Sequence, residues 1–382
     1  MVRLVEEMVN VVLQGEKMNK LRVIELFSGI GACSKALERL GIDHEIVDSV
    51  EIDKYAVKSF NAIHGTNFEP QDIKEWDKDI EADLIMHGSP CQDFSVAGKG
   101  AGGDKGSGTR SSLMYETLRI VEKIKPKYVI WENVKNLLSK KHIHNFEAYQ
   151  EAMKELGYVN YYKVLNAKDY GIPQNRERVF TVSIRIDLLK SASFEFPEKM
   201  ILEKKLKDIL DDKVDEKYYL DENRIKAIKK WEDRQIENGR GFRFEVKDGE
   251  SVGRAVTTSG DRPAETNYIK VTNATKRGYD IATDGDSINL QFPNSTTRRG
   301  RVGHGVSQTL QANGSMGTYQ NYRIRKLTPK ECWRLMGFDD SDFEKAEKVN
   351  SNTQLYKQAG NSIVVNVLEG ILKNLLENEY GR

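Results

Sequence analysis

The stretch "VIELFSGIGACSKAL", residues 23–37, decides the fold prediction for the first half of the chain. An apolar run typical of a β-strand leads into a turn with Gly29 and Gly31, and a helical pattern follows. Such a turn lets backbone amides approach a ligand closely. A dinucleotide fingerprint would need a further Gly or Ala where Ser34 stands. The turn therefore predicts a nucleoside-bearing cofactor of unspecified kind, and a turn that only redirects the chain stays the alternative.

Short apolar runs alternate with helical patterns from residue 21 to residue 185. This alternation is typical of an α/β fold with a doubly wound, mostly parallel sheet. The predicted strands are 21–27, 44–52, 82–88, 127–133, 161–167 and 178–185. The predicted helices are 31–41, 53–65, 111–124 and 145–157.

The second half of the chain has a different character. Residues 214–235 have helical spacing, and 239–320 are rich in Gly, Thr and Asn with short β-like pieces. A chain of 382 residues exceeds the usual size of one core, so we expect two domains. The expected parts are an N-terminal extension (1–20), a catalytic and cofactor-binding domain (21–185), a smaller irregular β-containing domain (186–322) and a C-terminal segment that returns to the catalytic domain (323–382). Thr328 before Pro329 predicts a helix start in that last segment.

Composition describes an ordinary water-soluble protein, with 38% hydrophobic and 31% charged residues. Three widely spaced cysteines give neither a disulfide framework nor a metal-binding pair, which favours a cytoplasmic setting. No apolar run approaches the length of a membrane helix. The net charge of +1 argues neither for nor against nucleic-acid binding. The basic clusters 296–305 and 321–326 could contact phosphates or be ordinary solvated surface.

A cysteine follows a proline in "HGSPCQDFSVAG", residues 87–98. The apolar strand before it ends at Gly88, Pro90 is rigid and the chain then becomes polar, which presents the Cys91 thiol instead of burying it. Glu132 in "WENV" comes at the carboxyl end of the neighbouring predicted strand, the edge where open α/β sheets bind ligands. A thiol beside a carboxyl acid suits covalent attack on a ring that must be protonated. Singly, the cysteine could be a small buried hydrophobe and the glutamate a helix cap.

Further polar side chains fall near the same edge. Arg176 and Arg178 in "GIPQNRERVF", residues 171–180, are two apart, so on a strand they would share one face and could lower the pKa of the thiol. Surface charges are the alternative. Glu51 ends the second predicted strand twenty residues after Gly31, where an acid can accept hydrogen bonds from ribose hydroxyls.

Taken together, the motifs resemble those of the DNA (cytosine-5) methyltransferases that use S-adenosylmethionine, of the bacterial or phage type. "FSGIG" resembles the first cofactor motif, "PCQ" with "FSVAG" the nucleophile motif, "ENV" the acid motif and "QNRER" the arginine motif. "RKLTPKECWRLMGF" and "QAGNS" are similar to the last two motifs. The resemblance covers about residues 21–185 and 325–376, in the family's order, and implies a class I methyltransferase-like, Rossmann-like fold.

The resemblance implies a role for each matching residue. Cys91 would add to C6 of cytosine, Glu132 would hold the proton at N3, and Arg178 would contact the base with Arg176 beside it. Pro90 would fix the nucleophile loop over base and cofactor. The cofactor S-adenosylmethionine would lie against Phe27, Gly29, Ile30, Gly31, Glu51, Asp72, Ile73, Pro90, Asn361 and Ser362. The family pattern is not met at Ala32, where some members have Gly, and at Ile52, where some have an aromatic residue.

The target base must leave the DNA stack, which costs a few kcal/mol. The glycine-rich stretch 98–108 suits a loop that closes over DNA, following Gln92 and Ser95. Thr309 and Leu310 resemble the family's Thr-Leu element near the flipped base. The resemblance implies that 186–322 recognises a duplex DNA sequence through major-groove contacts.

Other classes remain open from the residues. These are a catalytically inert DNA- or partner-binding relative, an RNA cytosine methyltransferase on the same scaffold and, more remotely, a nicotinamide oxidoreductase. We expect no metal, no membrane, a monomer and no physical need for a restriction endonuclease. Cys33 and Cys332 are expected to be packed and inert, His87 structural, and Trp131 and Trp333 in the core.

Overall fold

The computed structural model describes residues 20–90, 113–189, 194–218, 245–247, 268–272, 274–275, 279–282, 285–291, 300–310, 312, 316–320 and 323–380. Several predictions therefore lie outside the described residues: Cys91, Gln92 and Ser95, the glycine-rich stretch 98–108, most of the 214–235 segment, and nearly all of 1–20.

A six-stranded sheet with the order β2-β1-β3-β4-β7-β5 forms the centre of the fold. The strands among the described residues are β1 (Leu21–Leu26), β2 (His44–Val50), β3 (Leu84–His87), β4 (Tyr128–Val134), β5 (Tyr158–Asn166), β6 (Gln174–Asn175), β7 (Glu177–Arg185), β8 (Glu245–Lys247), β9 (Tyr268–Thr272), β10 (Tyr279–Ala282), β11 (Ser287–Asn289), β12 (Val302–Gly303), β13 (Ser307–Gln308), β14 (Met316–Gln320) and β15 (Arg323–Lys326). β1 pairs in parallel with β2 and β3, and β3 with β4, whereas β7 runs antiparallel to β4 and β5. The prediction of a mostly parallel α/β sheet is confirmed.

Helices cover both faces of this sheet. They are α1 (Ala32–Leu40), α2 (Lys54–His64), α3 (Met114–Ile124), α4 (Ile143–Glu155), α5 (Pro329–Arg334), α6 (Asp340–Glu347), α7 (Asn352–Asn361) and α8 (Val365–Tyr380). Two hydrophobic clusters result, and alternate residues of β1 enter different ones: Val23 packs with Leu37 and Leu368, and Ile24 packs with Trp131. The apolar run of β1 is thus explained by burial on both faces.

The C-terminal helices pack on the same core as α1. The helix start predicted at Thr328 is confirmed: its hydroxyl accepts from the Glu331 amide at 3.1 Å, and the Glu331 carboxylate accepts from the Thr328 amide at 2.7 Å. Lys35 of α1, a buried lysine, pairs with Asp342 of α6 at 3.1 Å. These contacts bring the end of the chain to the amino end of α1, beside the glycine turn.

Two small sheets come from the region between β7 and α5. One has the order β10-β9-β8 and the other β12-β11-β14-β15, both antiparallel. β13 instead pairs with β6, in parallel. Strands β9, β10 and β11 lie within 239–320, for which short β-like pieces were predicted. Within the described ranges, no helix combines the length and apolar character needed to cross a bilayer, and no group of His, Cys, Asp and Glu side chains is arranged to hold a metal ion.

Candidate active site

The glycine turn after β1 has a left-handed backbone at three positions: Phe27 (φ 53°), Gly29 (φ 56°) and Gly31 (φ 80°). A Cβ on Gly31 would lie 2.1 Å from Nε2 of His64, so only glycine fits there. A Cβ on Gly29 would meet no described atom within 4 Å. The turn is therefore closed against α2 at Gly31 and open at Gly29.

Glu25, which the sequence reasoning missed, lies below this turn. Its buried carboxyl group accepts a hydrogen bond from the Ser34 amide at 2.9 Å and another from the Ser34 hydroxyl. Burial raises the pKa of Glu25 to about 7. An acidic residue within the apolar run "VIELF" was the available signal. The carboxyl group caps the amino end of α1, where a negative or polar group is favoured.

Glu51 follows the last residue of β2, as predicted from its position in the sequence. One carboxylate oxygen accepts from the Gly29 amide at 3.1 Å and the other from the Asp53 amide at 2.8 Å. Burial raises the pKa of Glu51, opposed by these hydrogen bonds. The Glu51 carbonyl accepts from the Gln71 amide at 2.8 Å, which brings Asp72 and the buried Ile73 to the same end of β2.

A cleft opens between the glycine turn, the ends of β3 and β4, and the residues after α7. Five predicted site residues line it: Phe27, Gly29, Glu132, Asn361 and Ser362. The lining residues that were not predicted are Glu25, Leu26, Ser28, Ala32, Cys33, Met86, Gly88 and Ile363. The Ile30 side chain is instead buried in the core, and its carbonyl accepts a hydrogen bond from His64 at 3.2 Å. The glycine turn and the residues around Asn361 and Ser362, far apart in sequence, thus form one cleft that Glu132 also lines.

Glu132 lies within β4 and not beyond its end. Nε of Arg178 on β7 is 3.0 Å from Oε1 of Glu132, and both side chains are largely buried. Among the described residues, Oε1 accepts no well-aligned hydrogen bond. The pairing follows from the antiparallel register, in which Arg178 faces Val134, two residues from Glu132. The ion pair with Arg178 therefore holds the acid at the lining of the cleft.

The residues that flank Glu132 fix the chain just before Cys91. Trp131 Nε1 donates to the Ser89 hydroxyl at 3.0 Å, and Asn133 Nδ2 donates to the Ser89 carbonyl at 3.3 Å. A Cβ on Gly88 would lie 3.8 Å from Oε2 of Glu132. Pro90 is the last described residue before the predicted nucleophile. The chain that leads to Cys91 is therefore anchored beside Glu132.

Arg176 lies between β6 and β7, so the expectation that it shares a strand face with Arg178 is wrong. β7 begins only at Glu177, and the buried Arg176 side chain turns to the other end of the chain. Its Nη2 donates to the Ser362 carbonyl at 2.7 Å. Arg176 thereby ties the arginine motif to the residues after α7 that line the cleft.

Thr309 and Leu310 contact Gln174 and Asn175, the two residues of β6. The Thr309 hydroxyl donates to the Asn175 carbonyl at 3.1 Å, and the buried Leu310 donates its amide to Oε1 of Gln174 at 3.1 Å. Nε2 of Gln174, a fully buried side chain, donates to the Leu335 carbonyl at 2.7 Å. Sequence reasoning missed Gln174, which joins three segments that are distant in sequence.

The residues expected to be structural are buried. Burial raises the pKa of the Cys33 and Cys332 thiols well above the usual range. His87 stacks on Trp131 with ring centroids 5.7 Å apart and pairs with the Tyr149 hydroxyl at 2.9 Å. Burial lowers the pKa of His87 to about 3. Trp131 and Trp333 lie in the core, so the expectation that these residues are packed inside the protein is confirmed.

Comparison with known proteins agrees with this arrangement. Residues 21–377 match the family of C-5 cytosine-specific DNA methylases. The chain belongs to this family. It is a DNA cytosine-5 methyltransferase.

Individual relatives cover nearly the full length of this methyltransferase. It is 36% identical to the orphan methyltransferase M.SPRI of Bacillus phage SPR, over 94% of this chain and 98% of the relative. It is 33% identical to the type II methyltransferase M.HhaI of Haemophilus parahaemolyticus, over 95% and 96% of the two chains. The crystal structure of the Schizosaccharomyces pombe Dnmt2 methyltransferase has the same fold, with a TM-score of 0.55, 19% identity, and coverage of 94% and 99%.

Proposed function

We propose that this methyltransferase transfers a methyl group from S-adenosylmethionine to C5 of a cytosine flipped out of duplex DNA, through a covalent bond between Cys91 and C6. One observation carries the proposal. Glu132 lines the same cleft as Phe27, Gly29, Asn361 and Ser362, and the chain leading to Cys91 is anchored beside it. An acid, a nucleophile and a nucleoside-binding turn then meet at one edge of the sheet.

Glu132 supplies the proton that the base requires. The Cys91 thiolate adds to C6, which is electrophilic because Glu132 holds a proton at N3, and the electron pair displaced from the C5–C6 bond makes C5 nucleophilic. C5 would then bond to the methyl group, whose bond to the donor sulfur would break and leave its electron pair on that sulfur. Loss of the C5 proton to a base restores the double bond and expels the thiolate. Arg178, 3.0 Å from Glu132, keeps the carboxyl group oriented toward the base.

The described residues fit the cofactor. The open side of Gly29 is space that a Cβ would fill, and it lies beside the Glu51 carboxylate, which has acceptor capacity left for ribose hydroxyls. Ile52 exposes 68% of its surface next to Glu51 and offers an apolar face for a base. When bound, S-adenosylmethionine supplies a methyl group on a positively charged sulfur. Asp72 and Ile73 would contact the adenine edge, Ile30 and Gly31 the methionine part, and Pro90 would close the site.

The DNA would be held from the other side of the cleft. C5 and C6 are inaccessible in a stacked duplex, so the cytosine must be extruded. Thr309 and Leu310, fixed on β6 by Gln174 and Asn175, would lie near the extruded base together with Gln92 and Ser95. The region 186–322 would read the flanking sequence in the major groove. The protein would act as a monomer and without a bound endonuclease.

Methyl transfer in vitro tests this proposal. The purified full-length protein is incubated with tritium-labelled S-adenosylmethionine and either duplex DNA or tRNA, and the labelled positions are mapped by bisulfite sequencing. We expect label at cytosine C5 in DNA within one sequence motif, with no label from the C91A variant and near wild-type label from C332A, which removes a buried thiol. Label in tRNA alone, or transfer by C91A, would overturn the proposal.

A further inference from the structure

Residues 71–77 form a segment with no helix or strand, between β2 and β3. Its backbone makes two short turns: the Glu75 amide donates to the Asp72 carbonyl at 3.0 Å, and the Trp76 amide donates to the Ile73 carbonyl at 3.3 Å. A segment without a hydrogen-bonded ladder depends on side chains from its neighbours for its conformation. We call residues 71–77 the adenine segment, because the proposed function places Asp72 and Ile73 at the adenine edge.

One side of the adenine segment is held by β2. The buried Asp48 carboxylate accepts from Trp76 Nε1 at 2.7 Å, from Gln71 Nε2 at 2.9 Å and from Lys78 Nζ at 2.9 Å. These contacts hold both ends of the segment. They leave the carbonyl groups in its middle to other partners.

The other side is held by α3, through Arg119. Its Nη2 donates to the Ile73 carbonyl at 2.9 Å, and its Nη1 donates to the Trp76 carbonyl at 2.8 Å. Its Nε donates to Glu116 at 3.0 Å, which orients the guanidinium plane. A planar fork with fixed donors can satisfy two carbonyl groups at once, whereas a lysine ammonium offers no such fixed fork.

From this geometry we propose that Arg119 is a positioning residue of the cofactor site, which sets the orientation of Ile73 and Asp72 for adenine binding. The inference rests on the proposed function and goes beyond it, since Arg119 lies outside the cleft and touches neither base nor methyl donor. Fixing the Ile73 carbonyl fixes the adjoining peptide planes, and with them the backbone and side-chain groups that would face the adenine. Arg119 therefore acts on cofactor affinity and leaves the chemical step unchanged.

The test measures cofactor binding in R119K and R119M, with R185K as the matched control. Arg185 is also a half-exposed arginine that donates to a backbone carbonyl, that of Lys125, and pairs with a neighbouring acid, Asp187. Isothermal titration of the full-length proteins gives Kd for S-adenosylmethionine and for adenosine. Steady-state kinetics give kcat at saturating cofactor and KM for DNA, and thermal unfolding gives Tm.

We expect R119K to weaken binding of both ligands about tenfold, which corresponds to roughly 1.4 kcal/mol. Its kcat at saturation and its KM for DNA stay near the wild-type values, and R185K binds both ligands as the wild type does. Unchanged Kd values in R119K and R119M, or equal weakening in R185K at a similar Tm, would overturn the positioning role. A wild-type protein that does not bind S-adenosylmethionine would instead overturn the proposed function, so the two failures are distinct.

Discussion

The guanidinium group of Arg178 lies 3.0 Å from the carboxyl group of Glu132, across the antiparallel strands β7 and β4. The contact depends on the reversal of β7 within an otherwise parallel sheet. It joins the acid motif to the arginine motif directly, 46 residues further along the chain. It also explains why Glu132 can be buried near the centre of the protein, since a buried carboxylate without a charged or hydrogen-bonding partner is costly.

Removing this acid should lower turnover sharply. We expect E132Q to lower kcat by about 10²- to 10⁴-fold, the usual contribution of a positioned acid or base. R178K should lower kcat by about 10²-fold, because a misplaced catalytic group costs about that much. K135Q is the control: it breaks the exposed pair, at 3.0 Å, between Glu177 on β7 and Lys135, the residue that follows β4, and should leave kcat unchanged. Full activity in E132Q would exclude Glu132 as the acid.

Glycine substitutions at the two ends of α1 should separate an effect on stability from an effect on cofactor binding. G29A places a methyl group in the open space of the turn and should raise KM for S-adenosylmethionine, at a backbone cost of about 1–2 kcal/mol. G41A has the same left-handed backbone (φ 67°) and the same open surroundings among the described residues, but lies at the far end of α1. G41A should therefore lose similar stability and keep the wild-type KM. An unchanged KM in G29A would contradict the placement of the cofactor.

Glu25 should make stability depend on pH in the direction opposite to most carboxyl groups. Its folded-state pKa of about 7 lies above the ordinary value of 4.5, so the folded protein retains a proton that the unfolded chain loses. The stability from the protonated group is complete below about pH 4.5 and is lost as pH rises through about 7. In denaturant titrations, the free energy of unfolding of E25Q relative to that of the wild type should rise between pH 5 and pH 8, by up to roughly 3 kcal/mol. E81Q, at an exposed site, should show no such trend, and a flat difference for E25Q would refute the assignment.

Gln174 should affect DNA binding through the Thr309–Leu310 element. Q174A leaves the Leu310 amide and the Leu335 carbonyl without their buried partner, at a cost of about 1–3 kcal/mol each. We expect a lower Tm and a raised KM for DNA, while Kd for S-adenosylmethionine stays unchanged. Q150A, which removes a weaker 3.4 Å contact to Thr181, is the control and should leave KM for DNA unchanged.

The fold of residues 21–185 was largely predictable because its signals are local. Apolar runs and helical periodicity predicted the six strands of the central sheet and helices α1 to α4 with errors at their ends, such as β5 beginning at Tyr158 and not at 161, and missed the short strand β6. The antiparallel direction of β7 follows from how the strands are connected and is not encoded in the residues of β7. The chain between Asn166 and Glu177 is too short for a crossover helix, which forces an antiparallel return.

The candidate site was predictable where a residue sits in a motif at a strand end, as do Glu51 and Glu132. Gln174 and Arg119 were missed because each acts through a partner that the sequence does not place, whereas Glu25 did leave a signal, an acidic residue within an apolar run. Arg119 contacts a carbonyl 46 residues away, and Gln174 contacts one 161 residues away. Backbone carbonyls leave no mark in a sequence, so only the folded chain reveals these contacts.

The most direct measurement of the central chemistry is covalent trapping on duplex DNA that carries 5-fluorocytosine at the methylated position. Fluorine at C5 cannot leave as a proton does, so the bond to C6 persists after methyl transfer. We predict a complex that survives denaturing electrophoresis in the presence of S-adenosylmethionine, with peptide mass spectrometry locating the link at Cys91, and no complex from C91A. A link at another residue, or methylation of normal DNA without any trapped complex, would contradict attack by the Cys91 thiolate.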